Sequence, residues 1–482
     1  MKSVQSKIAN PKSAMKVLLI NSRATYAGEV AQKCYPPLNL MYLAAALMAR
    51  GHEARIVDAN AVNMPDEQIA AEAAACGAQL IGMPLFSTIS AHVFKATSLI
   101  RQRCPSAKLV LGGPEASALP ERTLQSFSHV DFILRGEAEE SICNLCDALE
   151  KGAALAAVNG LTYRENGRVT HSPDVTLGKD LDQIRRPARD LAEEHYRAKR
   201  YYSILVKARP VDTVLTSRGC PFHCGFCYNQ AHTYRWRSPE DVVDEIRSIV
   251  QRGIRDIEVV DDSFTVRRER AMAIFDLLIR ERLNVSFRIK SRVNAVDKEF
   301  LRKARRAGVY LISYGVESGV QDILDRMNKR TKVAENAEAI RLAKEASMMC
   351  HASFVLGYPG ETPDTISQTI DFVRATRPST VNFVALVPFP QTEVYHYAKD
   401  KGMLVGDWDA QSTYVPWVRL AWMKSRGDLD RLAQIARRKV YFTPYYISLF
   451  ATDILRNANL ALARYAAREA LKVVRTKGPR LF

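Results

Sequence analysis

Residues 216–230, TSRGCPFHCGFCYNQ, place Cys220, Cys224 and Cys227 within eight positions, three of the nine cysteines in a chain of 482 residues. Thiolates bind soft metals, so this stretch reads as a zinc site, an iron–sulfur centre or a loop without metal. A closed zinc site wants four ligands, and only His223 is near enough to complete a set. A structural four-iron cluster wants four cysteines as well. Three would leave one iron without a protein ligand, open to the amine and carboxylate of an amino acid. The other six, Cys34, Cys76, Cys104, Cys143, Cys146 and Cys350, are scattered, and an odd total is no disulfide framework. They read as small core residues or inert surface thiols.

Strand-like and helical stretches alternate around the trio. The strand candidates are DTVLTS (212–217), DIEVVDD (256–262), SFRIKSRV (286–293), VYLISYGVES (309–318), HASFVLGYP (351–359) and VNFVALVPF (381–389). The first helix opens with Ser238 as N-cap, Pro239 at its first position and Asp241 placed for a capping box, and Gly253 closes it. Six such units predict a partial (β/α) barrel, because a closed eight-stranded one takes about 250 residues. Its active site should face the C-terminal ends of the strands, where the unusual polar clusters fall: Cys220 to Cys227, Asp261-Asp262, Ser291-Arg292, Glu317-Ser318 and GYPGET.

Upstream, KVLLIN (16–21), a helix ending at Gly51, EARIVDA, AQLIGMPL, a second helix, KLVLGG and VDFILRGE predict a Rossmann-like, doubly wound parallel sheet. Ligands of such sheets lie beyond the strands' carboxyl ends, here NSRATYAG, PLFSTIS, GGPEAS and RGEAEE, where Gly112, Gly113 and Gly136 allow close backbone approach. No G-x-G-x-x-G is present, which disfavours a dinucleotide. LTYRENGRVTH reads as a hairpin around Asn166-Gly167, and RRPARDLAEEHYRAKRYY as a polar linker. The expected domains are 1–152 (Rossmann-like), 153–210 (linker and hairpin), 211–400 (partial barrel) and 401–482 (basic helical region).

The C-x-x-x-C-x-x-C loop after a first barrel strand, with Phe226 before the last cysteine, resembles the radical S-adenosylmethionine (SAM) superfamily. VVDDSFT, YGVESG, LDRMNKR, FVLGYPGET and VPFPQT, with GGPEAS and RGEAEE upstream, resemble the blocks of its members that carry an N-terminal cobalamin-binding domain. The resemblance implies a 4Fe-4S cluster on Cys220, Cys224 and Cys227 with SAM on the fourth iron. It implies Phe226 and the Tyr228 backbone against adenine, and Asp262, Arg292 and Glu317 on the methionine and ribose portions. Ser87, Thr88, Gly112, Gly113 and Gly136 would line a cobalamin. Two plainer readings stand beside these: Asp262 as a helix cap, and Arg292 paired with Glu317. The block reads Gly-Gly-Pro-Glu at 112–115 where the family often has histidine last, and no D-x-H-x-x-G motif is present. The activity implied is methylation of an unactivated carbon, or phosphorus, of a small metabolite or lipid, with an electron donor such as flavodoxin or ferredoxin. Ring contraction, oxidative cyclisation and 3-amino-3-carboxypropyl transfer are the alternatives with the same cofactors. A non-catalytic corrinoid or zinc carrier is the alternative outside enzymes.

The net charge of +17 is uneven: residues 1–150 hold fourteen Lys/Arg against fourteen Asp/Glu, and residues 431–482 hold eleven against two. Within residues 443–478, Arg464, Arg468, Lys472 and Arg475 form one basic stripe. That stripe would suit an anionic membrane, although such a helix more often covers the protein's own core with its apolar side and leaves the charges as a solvated face. No nucleic-acid module stands out. With no spanning segment or signal peptide in the sequence, a cytoplasmic protein is expected, with peripheral contact at the inner membrane face as the alternative.

Overall fold

The computed structural model describes residues 14–24, 33–203, 205–228, 232–406 and 416–457. The basic stripe at 464–475 lies outside them.

Strand β1 (Lys16–Asn21) shows why the N-terminal half forms a two-sided sheet. Val17 and Leu19 face one apolar cluster, Leu18 and Ile20 the other, and all four are wholly buried. A strand covered by helices on both faces has to be apolar throughout. Beside it lie β2 (Glu53–Asp58), β3 (Leu80–Pro84), β4 (Lys108–Gly112) and β5 (Phe132–Leu134), all parallel, in the order β2-β1-β3-β4-β5. Helices α1 (Leu38–Arg50), α2 (Asp66–Cys76), α3 (Ser90–Arg103) and α4 (Glu139–Lys151) flank the sheet, α1 and α4 contributing to the first cluster and α2 and α3 to the second. Gly51 ends α1 in the left-handed conformation, as its position predicts.

The hairpin at 161–171 forms β6 (Leu161–Glu165) and β7 (Arg168–His171), turning at Asn166 and Gly167 with φ of 50° and 78°. It pairs antiparallel with β5, so the sheet continues past Gly152 to His171.

All six strand candidates of the second half are present: β8 (Val211–Val214), β9 (Asp256–Val259), β10 (Ser286–Ser291), β11 (Val309–Glu317), β12 (Met349–Leu356) and β13 (Thr380–Ala385). They form one parallel sheet in chain order, with no pairing between β13 and β8. This is an open, partial barrel. Ser238 caps the helix Pro239–Gln251 by accepting from Asp241 N at 3.2 Å. The reciprocal half of the expected capping box does not form, because the Asp241 carboxylate is taken by Arg186 (2.8 Å) and Arg237. A C-terminal pair, Arg426–Tyr441 and Pro444–Asn457, follows, the first packing beside β13. Among the described residues no helix is long and apolar enough to cross a membrane.

Candidate functional site

The cysteine loop leaves the C-terminal end of β8 and is held from both sides. Gly225 N donates to Met327 O, and Gly225 O accepts from Val394 N, each at 2.9 Å. A β-carbon on Gly225 would stand 2.8 Å from Tyr358 Oη and 3.1 Å from Glu393 Oε2, so glycine fits the loop between those groups. Asn328 Nδ2 donates to His223 O at 2.7 Å, and Cys227 N to Cys224 O at 2.9 Å. None of the other six cysteines belongs to this loop: Cys34, Cys76, Cys143, Cys146 and Cys350 are buried elsewhere, and Cys104 follows α3.

Two of the thiols, Cys220 and Cys227, oppose ionisation while unligated. Cys227 is exposed at its surface, yet the protein atoms crowding its sulfur desolvate it and push it up to about 12, with the charges of Cys224, Cys220 and Asp262 adding to this and Lys329 acting against it. Burial raises Cys220 too, with Asp262 and Cys224 adding and Arg292 opposing. Such a trio becomes three thiolates when a bound metal compensates the charge, since coordination inverts this logic. Among the described residues no three His, Cys, Asp or Glu side chains are grouped for a single ion. Three sulfurs on one loop are a donor set that fits three irons of a cluster and leaves the fourth corner to another ligand.

Around the loop the structure gathers Asp262, Arg292 and Glu317, and adds Lys329. Arg292 Nη1 lies 3.7 Å from Cys224 Sγ, its guanidinium sits 4.0 Å from the Phe222 ring centre, and Nη2 donates to Lys329 O. Its Nε is buried without a partner. Arg292 does not pair with Glu317. Lys329 Nζ holds Glu317 instead, at 2.9 Å. Glu317 has a φ of 68°, just after a bulge in the β11–β12 pairing. A bulge re-aims side chains, so strand alternation alone does not place this carboxylate.

Asp262 caps no helix, since the next one begins at Arg268. Its carboxyl is raised by desolvation, with Lys290 acting against this and Asp261 adding to it. Asp261 is structural: it accepts from Thr216 N at 2.6 Å and from the Thr216 and Ser217 hydroxyls at 2.5 Å. Phe226 packs half-buried against the core, and Tyr228 stacks on Phe389 at 6.0 Å and 14°.

In the N-terminal half the predicted residues collect at the carboxyl ends of the strands. Ser87 and Thr88 lie in the turn after β3, half-buried and exposed, next to Phe86, which is 40% exposed. Leu85 N donates to Gly112 O at 2.7 Å, bringing this turn to Gly112 and Gly113. Gly113 has a φ of 96°, and a β-carbon there would stand 3.0 Å from Leu85 O. At Gly136 a β-carbon would meet nothing within 4 Å, so the backbone there lies open to a ligand. Glu115 is 4% exposed, its Oε2 has no partner, and burial pushes it up to about 7. A wide surface of backbone, hydroxyls and one phenyl ring, with a buried acid in the helix that follows Gly113, fits a large amphipathic ring better than a dinucleotide.

Ion pairs join the two halves. Arg218, two residues before Cys220, donates to Glu137 at 2.7 Å and Glu139 at 2.5 Å, and Arg235 also donates to Glu137. Gln391 Nε2 donates to Ala118 O at 3.0 Å, bridging VPFPQT to the helix that follows Gly113. Sequence reasoning missed Arg218, Lys329 and Gln391 as holders of the site. All three lie within or beside blocks it singled out.

Known proteins match this architecture half by half. Residues 214–373 match the model of the radical SAM superfamily, and residues 25–146 that of the B12 binding domain. The chain is 29% identical to an uncharacterized methyltransferase of Pyrococcus horikoshii over 91% of this chain and 94% of that protein. It is 28% identical to an anaerobic magnesium-protoporphyrin IX monomethyl ester cyclase of Rubrivivax gelatinosus, over 88% and 77%. The fold superposes with a TM-score of 0.74, at 17% identity and 90% coverage of both chains, on the radical SAM methyltransferase TsrM of Kitasatospora setae with cobalamin and a 4Fe-4S cluster bound.

The open barrel and its cysteine loop define a radical SAM enzyme. With its B12-binding half, the chain belongs to the cobalamin-binding members of that superfamily, whose cofactors are a 4Fe-4S cluster, SAM and cobalamin.

Proposed function

We propose that the protein transfers a methyl group to an unactivated carbon, or phosphorus, of a small molecule. Cys220, Cys224 and Cys227 hold the cluster. Phe226 and the Tyr228 backbone meet adenine, while Asp262, Arg292 and Glu317 serve the methionine and ribose portions. Ser87, Thr88, Gly112, Gly113 and Gly136 line the corrin. When bound, the cluster and SAM supply a deoxyadenosyl radical and cobalamin supplies the methyl group. The chain's own residues bind, orient and exclude water: Arg292 braces the cysteine loop and Lys329 fixes the Glu317 carboxylate. Arg218, Glu137 and Gln391 clamp the corrin-binding loops onto the barrel mouth. A small electron-transfer protein such as flavodoxin or ferredoxin reduces the cluster.

The observation carrying this reading is one loop with three cysteines, braced from two directions and joined to the Gly136 loop by the Arg218–Glu137 contact, with Gln391 tying the barrel to the helix after Gly113. Oxidative cyclisation is the second reading, favoured by the likeness to the Rubrivivax gelatinosus cyclase. The test is anaerobic reconstitution with iron, sulfide, cobalamin and SAM, followed by identification of every nucleoside product. S-adenosylhomocysteine with 5′-deoxyadenosine marks methylation. Deoxyadenosine alone marks cyclisation or rearrangement, and methylthioadenosine marks aminocarboxypropyl transfer. Iron and sulfide that survive loss of the three cysteines would overturn the assignment of the cluster.

A further inference from the structure

The interior of a closed (β/α) barrel is filled mainly by bulky branched apolar side chains. The inward faces of β10 to β13 are different. On β10, Phe287, Ile289 and Ser291 are buried, and the alternation of the strand turns Arg288, Lys290 and Arg292 to the opposite face. On β12, Cys350, Ala352, Phe354 and Leu356 are buried, while His351 and Ser353 on the other face are half-buried. On β13, Val381 and Phe383 are buried, and Asn382 and Val384 face the open side, exposed.

The strand registers align these positions. Lys290 lies opposite Ser313, Ser313 opposite His351, and His351 opposite Thr380; one step up, Gly315, Ser353 and Asn382 align in the same way. Four neighbouring strands thus carry a continuous polar belt below the cysteine loop. His351 sits 2.8 Å from Thr380 Oγ1 and 3.3 Å from Ser353 Oγ. Burial, helped by the Lys33 charge, pushes it down to about 4, so the ring is neutral and offers one donor and one acceptor.

Lys290 is the exposed member of the belt, standing at its open side. Among the described residues its ammonium has no hydrogen bond and no ion pair within 4 Å, and its charge is felt by Asp262 alone among the shifted carboxyls. One layer below, Arg288 binds Glu258 at 3.0 Å and Tyr35 at 2.9 Å, yet its Nη2 is buried without a partner. Two cations thus stand on the same face of β10, Lys290 exposed at the open side and Arg288 buried one layer below with a donor unused.

We infer that this belt is the substrate subsite, in which Lys290 takes an anionic oxygen group, a carboxylate or phosphate, and His351, Ser353 and Asn382 take the polar remainder. This rests on the radical SAM reading above and narrows its substrate class to polar acids. A bare hydrocarbon would strand Lys290, Ser313, Ser353 and Asn382 without partners, which is how a polar site rejects an apolar ligand. SAM carries a carboxylate as well, so the test has to separate the two sources.

The experiment uses the reconstituted holoprotein, saturated with SAM, and matched probes: benzoate against benzamide and phenyl phosphate against phenol, followed by ligand-detected NMR. Acids should bind at least about ten-fold tighter than their neutral partners, as a charge-assisted hydrogen bond provides. Lys290→Gln should abolish that preference and Lys290→Arg restore it, with iron content, bound cobalamin and SAM affinity unchanged. Equal binding of acid and neutral probes to the unmodified protein, or binding of neither, overturns the inference without recourse to any variant. A fall in SAM affinity in Lys290→Gln matching the loss of acid binding also overturns it, by assigning the lysine to the cofactor. Failure of the radical SAM reading is a separate result: the unmodified protein would then hold no iron and sulfide, or its cluster spectrum would ignore added SAM.

Discussion

Lys329 Nζ lies 2.9 Å from Glu317 Oε1, with the two side chains 8% and 9% exposed. The same short turn receives Arg292 at Lys329 O, Gly225 at Met327 O, and sends Asn328 to His223 O. One buried ion pair is therefore tied to the cysteine loop by two hydrogen bonds and to Arg292 by a third. Lys329→Met strands a buried carboxylate and should lower stability by about 3 kcal/mol, and adding Glu317→Gln should return part of the loss. Urea unfolding of the two variants checks this. Equal stability of both would mean that the pair does not hold the turn.

Glu137 joins the halves through Arg218 and Arg235. Desolvation opposes its ionisation, but the two guanidiniums outweigh it and hold the carboxyl below its usual range. A depressed folded value means stability that is present above the unfolded value of 4.5 and lost as pH falls through the folded one. Glu137→Gln should cost about 2 kcal/mol at pH 7, and its gap from the unmodified protein should narrow only below the usual glutamate range. Denaturation at pH 7, 5 and 4 measures the gap.

Glu361, in GYPGET, is 3% exposed and accepts from Gly357 N at 2.5 Å and Tyr358 N at 3.2 Å, while its Oε1 has no partner. Burial pushes it up to about 7, the two N–H donors pulling the other way. Here the folded value exceeds the unfolded 4.5, so stability declines as pH rises between them and stays lower above. Glu361→Gln keeps the acceptor and removes the charge. It should raise stability by up to about 3 kcal/mol at pH 8 and change little at pH 4.5, as thermal melts at both pH values will show.

Gly113 has a φ of 96° and leaves its missing β-carbon 3.0 Å from the backbone oxygen of Leu85. Gly113→Ala combines left-handed strain with a contact that no side-chain rotation relieves, a cost of about 1–2 kcal/mol. The turn after β3 should shift, and on the proposed corrin site cobalamin retention followed by absorbance should fall while iron per chain stays constant. Loss of iron in the same proportion would instead indicate general unfolding.

How much of this was legible before folding differs from residue to residue. Leu18 and Leu19 announce a strand covered on both faces because the backbone places successive side chains on opposite sides whatever surrounds them. Gly51, Ser238 and Asn166-Gly167 announce ends and turns for the same local reason. Asp241 misled at the capping box because two distant arginines claim its carboxylate. Arg292 and Glu317 looked like partners because both end strands, and the bulge before Glu317, with the return of Lys329 from a later loop, separates them.

By itself the chain determined the alternation of strands and helices, the two α/β halves and the grouping of three thiols, since these depend on spacing within a few residues. Only the tertiary structure decided that Lys329 answers Glu317, that Arg218 grips Glu137, and that Lys290, Ser313, His351 and Thr380 stand in one registered row. Such pairings depend on the register between strands far apart in sequence, on bulges that shift it, and on loops closing over tens of residues. Short-range periodicity carries none of that information.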